Sequence, residues 1–376
     1  MSDLCSLCGG PTRLLPVPHA AQSLLSDGRV WPHALRKRSC LGCGVVSHVE
    51  PPSAATMASF YGTDYGLQHR GIQAGKTRDT GYARHFAAAL PAPRRALEIG
   101  CGTGQLLSDL ALLWPDAELV GVDPSLALPS PEDRARVSLI RASIESYADG
   151  GERYDLLLSV NAIEHLPDVD AFFASAARLL AADGVLALIC PAAVAPNQEL
   201  LFFDHVHTLT QAALRRATAR YGLQLLRAQA RLALGDFQFL LFGRNGDVTR
   251  IEPEPGGAAL ATARAAYLGA WAGLDAQLLA RTGGAGALAI FGAGQMAALL
   301  RTYAPRVWGC AAQLLVDDPQ DAWELGKPLV RYTARAADAG EIRVIAAATP
   351  AIQDRIARRL DDDGYIPIRF DDIIPA

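Results

Sequence analysis

At 376 residues, half of them hydrophobic, the chain is too long for one ordinary domain and apolar enough to bury sizeable cores. A formal net charge of -4 with no long basic run argues against nucleic acid or an acidic membrane surface as a partner. No stretch reaches the roughly 18 apolar residues of a membrane helix. The opening MSDLCSLCGG lacks the basic start and apolar core of a secretory leader, so a soluble, cytoplasmic chain is expected.

Residues 1–56 carry two C-x-x-C-G units, Cys5/Cys8 with Gly9 and Cys40/Cys43 with Gly44. In a cytoplasmic setting such pairs favour metal over disulfides, and four thiolates close a tetrahedral Zn²⁺ site with no open catalytic position. The segment has little apolar core, so the metal would supply much of its folding free energy. The alternative is four reduced, unliganded cysteines. His19, His33 and His48 read as surface or packing residues.

Residues 57–94 form a connecting, substrate-covering segment. Phe60, Tyr61 and Tyr65 either cover a pocket entrance or pack on the next domain. A helix is expected from about Thr80 to Leu90, stopped by Pro91 and Pro93.

Residues 95–245 begin with an apolar strand, Ala96 to Ile99, running into Gly100-Cys101-Gly102-Thr103-Gly104. A helix with an apolar face follows, then a second strand, Glu118 to Val122, ending on Asp123. A glycine-rich turn lets the backbone approach a ligand closely, and the helix N-terminus presents unpaired N–H groups to it. An acidic residue ending the next strand accepts hydrogen bonds from a ribose diol. The unit is therefore a nucleoside-cofactor site.

Glu98 before the first glycine, the G-x-G-x-G spacing and Asp123 together resemble the S-adenosylmethionine (AdoMet) site of the class I methyltransferases. The resemblance implies cofactor contacts from Glu98, Gly100, Gly102, Gly104 and Asp123. It also places Ser143 where the adenine is bounded, and Asn161 at the end of the strand Tyr154–Ser159. A nicotinamide enzyme and an inactive relative stay open. Two histidine segments carry the chemistry: Asn161-Ala162-Ile163-Glu164-His165 and Phe202-Phe203-Asp204-His205-Val206-His207. Histidines on loops at the carboxyl end of such a sheet act as bases near neutral pH, and Asp204 can orient one. Thr210 is the expected cap of a helix beginning near Gln211.

A polar, Pro/Gly-rich boundary at Asn245–Gly257 leads into residues 246–376. Here an alanine-rich helix from about Ala258 to Ala280 precedes a second strand–glycine turn, Ala287 to Gly294, which reads as a Rossmann-like α/β unit or a scaffold without a ligand.

With all three segments in order, the chain resembles the three-domain sugar C-methyltransferases, which act on nucleotide-linked keto-deoxysugars in antibiotic biosynthesis. The fold expected is α/β: a central class I methyltransferase Rossmann-like domain, a small N-terminal zinc-binding domain and a C-terminal Rossmann-like domain. The resemblance implies His205 as general base, with Asp204, His165 and Tyr65 around the substrate, and AdoMet and a structural zinc as cofactors. A small-molecule substrate, nucleotide-linked in this reading, is the expected partner. This chain departs from the family pattern at Asp204 (Glu there), at Phe202 (Tyr there) and at Thr208-Leu209, which leaves O- or N-methylation of another small natural product as the alternative.

Overall fold

The computed structural model describes residues 4–61, 72–126, 137–283, 287–335 and 340–374. Among them, no helix is long and apolar enough to cross a membrane. The chain divides into two compact units. The first comprises Met1–Arg13, Arg38–Ala195 and Asp204–Ala261; the second comprises Leu14–Lys37, Pro196–Phe203 and Thr262–Ala376.

The first unit is built on an eight-stranded sheet. Its strands in chain order are β1 (Arg95–Ile99), β2 (Glu118–Val122), β3 (Val137–Ile140), β4 (Tyr154–Val160), β5 (Leu180–Pro191), β6 (Gln224–Gln229), β7 (Phe237–Gly243) and β8 (Arg250–Ile251). Their spatial order is β8-β6-β7-β5-β4-β1-β2-β3. Strand β7 runs antiparallel to both β5 and β6, while β1 is parallel to β2 and β4.

The sequence of β4, YDLLLSV, shows why this strand lies at the centre. A strand covered by helices on both faces reads as a continuous apolar run. Leu157 faces one core with Leu97, Val120 and the helix residues Phe172 and Phe173. Leu156 and Leu158 face the other, with Leu107 and Leu110 of the helix Gln105–Leu113 and with Tyr82 and Phe86 of the helix Ile72–Ala89. Each such leucine is worth about 1.5–3 kcal/mol of burial. The helix Ile72–Ala89 begins earlier than the expected Thr80.

Register brings the functional ends level. Ile99 pairs with Val122 and Glu98 with Leu158, so Gly100, Asp123 and Asn161 leave the sheet on one edge. Chain order reverses between β1 and β4, and the crevice outside the carboxyl ends at such a reversal is where open α/β sheets bind ligands.

A four-stranded sheet, Thr12–Leu14, Lys37–Cys40, Val46–His48 and His207–Thr208, carries the second cysteine pair on its turn. Its last strand comes from the second histidine segment: His207 pairs with Ser47 and Thr208 with Val46. Thr210 caps the helix Gln211–Ala219 by accepting from the Ala213 N–H at 3.1 Å, and its hydroxyl donates to the Cys43 carbonyl at 2.5 Å. The cysteine turn therefore anchors the loop that carries Asp204 and His205.

The second unit holds a five-stranded parallel sheet in the order Leu329–Arg331, Gln313–Val316, Ala287–Phe291, Ile342–Ala346, Ile366–Ile368. The Gly292–Gly294 turn follows the strand Ala287–Phe291 and leads into the helix Gln295–Tyr303. Phe202 is fully buried in this unit, its carbonyl accepting from the Lys37 ammonium at 2.9 Å.

Candidate active site

The glycine turn after β1 is held from below by β2. The Gly100 N–H donates to the Val122 carbonyl at 2.9 Å, and Gly100 takes φ +79°. A Cβ there would lie 2.6 Å from the Cβ of Ala162, so only glycine lets the turn touch the start of the segment bearing His165. Gly104, also left-handed, starts the helix Gln105–Leu113. Asp123 closes the turn from the other side. Its Oδ2 accepts from the Gly102 N–H at 2.9 Å, and its Oδ1 accepts from the Ser125 N–H at 2.8 Å and hydroxyl at 2.6 Å. A carboxylate offers about four lone-pair sites. Accepting both hydroxyls of a diol therefore requires the Ser125 hydroxyl to rotate away.

Asn161, at φ +49°, occupies a conformation in which asparagine is enriched. Its amide donates to the Tyr82 hydroxyl at 3.2 Å, while its buried Oδ1 makes no hydrogen bond. Ser143 caps the short helix Ile144–Tyr147 through the Ser146 N–H. Glu98 is 3% exposed and its Oε2 makes no hydrogen bond. Burial pushes its carboxyl well above the usual range, and the negative charges of Asp79 and Asp123 push it further. These buried oxygens without a hydrogen bond fit a ligand that brings polar hydrogens to the site.

A pH dependence follows from Glu98. Its native pKa lies above its unfolded value, so the native chain keeps a proton that the unfolded chain loses. Stability therefore falls as pH rises from the unfolded value, about 4.3, toward the native one. Glu98→Gln removes that slope. In thermal denaturation series, its advantage over the natural chain is expected to be small at low pH and to grow with pH. An advantage constant across pH contradicts the assignment.

The histidine cluster sits beside this turn. His165 ends a single 3-10 turn after β4, Ile163–His165. Its Nδ1 lies 2.9 Å from the Asp204 carbonyl, 2.6 Å from the Tyr61 hydroxyl and 3.9 Å from Asp204 Oδ2. A carbonyl only accepts, so Nδ1 carries the proton and Nε2 the lone pair. The Tyr61 hydroxyl in turn points toward Asp204 Oδ2 at 3.5 Å. The His205 ring meets His165 edge-on at 4.6 Å between centroids, and Glu164, Asp204 and His205 are all buried.

Of the residues singled out in the sequence, His165, His205 and Asp204 thus come together. Glu98, Gly100, Gly102, Gly104, Asp123 and Asn161 gather at the adjoining strand ends. Tyr65 lies outside the described residues. Sequence reasoning missed Tyr61 as the partner of His165, taking it as a pocket cover or as packing on the next domain. It also missed Tyr82 and Glu164, although Glu164 adjoins His165 in the chain. His207 is used in a strand.

Cys5, Cys8, Cys40 and Cys43 converge, with all four sulfurs within 4.8 Å of one another. The Cys5 and Cys43 sulfurs stand 3.8 Å apart and those of Cys8 and Cys40 3.4 Å apart. Four sulfurs at 2.3 Å from a tetrahedral zinc are about 3.8 Å apart, so the donor set fits that ion. Backbone N–H groups of Gly10, Gly42 and Cys43 also point at the Cys8 and Cys40 sulfurs, as thiolates require.

Residues 76–228 match a family model described as a methyltransferase domain. The ubiquinone biosynthesis O-methyltransferase of Azorhizobium caulinodans is 34% identical over 126 residues, covering 31% of this chain and 49% of that protein. Its counterpart in Mesorhizobium japonicum is 33% identical over 115 residues, covering 29% and 43%. The chain thus spans about half the length of the curated relatives it matches. Among solved structures, CalO1, a methyltransferase of calicheamicin biosynthesis in its SAH-bound form, is 18% identical with a TM-score of 0.39, covering 51% of this chain and 59% of its own.

Proposed function

We propose that this chain, whose core has the class I methyltransferase fold, transfers the methyl group of AdoMet to an oxygen of a small natural product. The observation that carries the reading is the juxtaposition, at the reversal between β1 and β4, of the Gly100–Gly104/Asp123 turn and an oriented imidazole at His165. The family-model match and the names of the two O-methyltransferase relatives support it.

AdoMet supplies an activated methyl on a sulfonium, so the difficult chemistry belongs to the cofactor. Asp123 and the glycine turn would hold its ribose, and Glu98 and Asn161 would supply further contacts to the cofactor. The protein must align the acceptor and remove its proton. Two rings are available for that proton. His165 is the oriented one, its Nδ1 tied to Asp204 and Tyr61. His205, packed against it, is the base that the family resemblance implies. When His165 gains a proton, Asp204 and the Tyr61 oxygen stabilise the imidazolium.

Tyr61 is then a positioning residue. A hydrogen bond to a charged group is worth about 1.5–3 kcal/mol, so Tyr61→Phe is expected to lower kcat by about 10- to 100-fold. The pH–rate profile should shift with it while AdoMet affinity stays unchanged. An unshifted profile contradicts the role.

The structural zinc at Cys5, Cys8, Cys40 and Cys43 and the Rossmann-like character of the second unit belong to the same proposal. They also favour a second reading: C-methylation of a nucleotide-linked keto-deoxysugar, because the cysteine cluster, the methyltransferase core and a five-stranded parallel sheet follow one another as in that family. Incubation with methyl-labelled AdoMet and panels of phenolic acceptors and nucleotide-linked keto sugars decides between them. NMR showing the new methyl on oxygen supports the first reading; a carbon-bound methyl replaces it with the second.

A further inference from the structure

We propose that Glu164, His165 and His205 form a second metal site in the first unit, for a single divalent ion of borderline softness such as Zn²⁺, Co²⁺ or Ni²⁺. One ligand atom from each of the three lies within 4.8 Å of the others, and the set comes from two segments 40 residues apart in the chain. Donors on a tetrahedral zinc stand about 3.4 Å apart, a separation within reach of small side-chain rotations. Two imidazoles and one carboxylate are a donor set for transition metals, whereas calcium and magnesium take oxygen ligands.

Two further features point the same way. A ligating histidine almost always gives its other ring N–H to a carbonyl or carboxylate, and His165 Nδ1 lies 2.9 Å from the Asp204 carbonyl. The site is also shielded: Glu164 is 2% exposed and His205 5%, so an ion there would meet little competing water. Three protein donors leave a coordination position open, unlike the four cysteines.

Its consequence for catalysis rests on the methyl-transfer reading; metal binding itself does not. An acceptor hydroxyl ligated at the open position would have its pKa lowered and would give up its proton to solvent water; the oxyanion would then form the new O–C bond as the methyl–sulfur bond of AdoMet breaks and S-adenosylhomocysteine leaves. With the ion bound, His165 and His205 would hold it and the ion would promote the deprotonation; without it, they act as the bases proposed above.

The test is a Co²⁺ titration of the full chain after chelation, followed by absorbance and by metal content after dialysis. Two equivalents are expected. One gives the intense thiolate-to-cobalt charge-transfer band of the cysteine cluster; the other gives only weak visible bands. Glu164→Gln and His205→Asn should each remove the second equivalent and keep the thiolate band, which also reports that the variants are folded. A natural chain that binds only the thiolate-ligated ion overturns the proposal. So does a second equivalent that survives both substitutions. Calorimetric AdoMet binding on the same samples separates this outcome from failure of the methyltransferase reading.

Discussion

His165→Ala is expected to lower kcat by about 10²- to 10⁴-fold, the usual range for loss of a positioned general base. That corresponds to about 3–5 kcal/mol of barrier. AdoMet affinity should not change, because the imidazole belongs to the histidine cluster rather than to the Gly100–Gly104 turn. Single-turnover kinetics with methyl-labelled AdoMet measure the first quantity and calorimetry the second. His205→Ala provides the comparison. If the two rings act as one unit, the double variant should be little slower than the worse single one. If only one is the base, the other substitution should leave the pH–rate profile in place. Full activity in both single variants would remove the histidines from the chemistry.

The second large effect is expected at the cysteine cluster. Structural zinc contributes apparent binding free energies of about 10–16 kcal/mol in zinc-finger peptides at neutral pH. Cys40→Ser would break the proposed zinc tetrahedron at the residue whose sulfur also receives the N–H groups of Gly42 and Cys43. The strands Thr12–Leu14, Lys37–Cys40 and Val46–His48 should then lose hydrogen-exchange protection, with a drop in Tm. Because Val46–His48 pairs with His207–Thr208, the damage should reach the loop of Asp204 and His205. Exchange at residues 204–208 reads this out. Protection unchanged in both regions after the substitution would show that the cluster is only four neighbouring thiols.

The parts of this site that were legible in the sequence are those made by neighbours in the chain. The strand, glycine turn, helix and second strand between Arg95 and Asp123 form one β-α-β unit, so the Gly102–Asp123 contact follows from local spacing alone. The two C-x-x-C units carry their own turn chemistry, and four thiolates need one another. The Thr210 cap was readable because its bond to the Ala213 N–H spans three residues.

What escaped depends on contacts over long separations. Tyr61 meets His165 across 104 positions, and nothing around Phe60-Tyr61 marks a tyrosine that orients an imidazole rather than one that covers a pocket. The pairing of His207–Thr208 with Val46–His48 could not be read either, because a two-residue strand has no periodicity. The orphaned oxygens of Glu98 and Asn161 depend on burial, which only the assembled sheet creates.

Calorimetric titration of the natural chain with AdoMet, alongside NAD⁺ and an Asp123→Ala variant, tests the central claim most directly. The expected result is one saturable AdoMet site per chain, no NAD⁺ binding, and affinity weakened at least about tenfold in the variant, the loss of one to two hydrogen bonds from a carboxylate. Absence of saturable AdoMet binding, or tighter binding of NAD⁺, would contradict the assignment of the Gly100–Gly104 turn and, with it, the proposed methyl transfer.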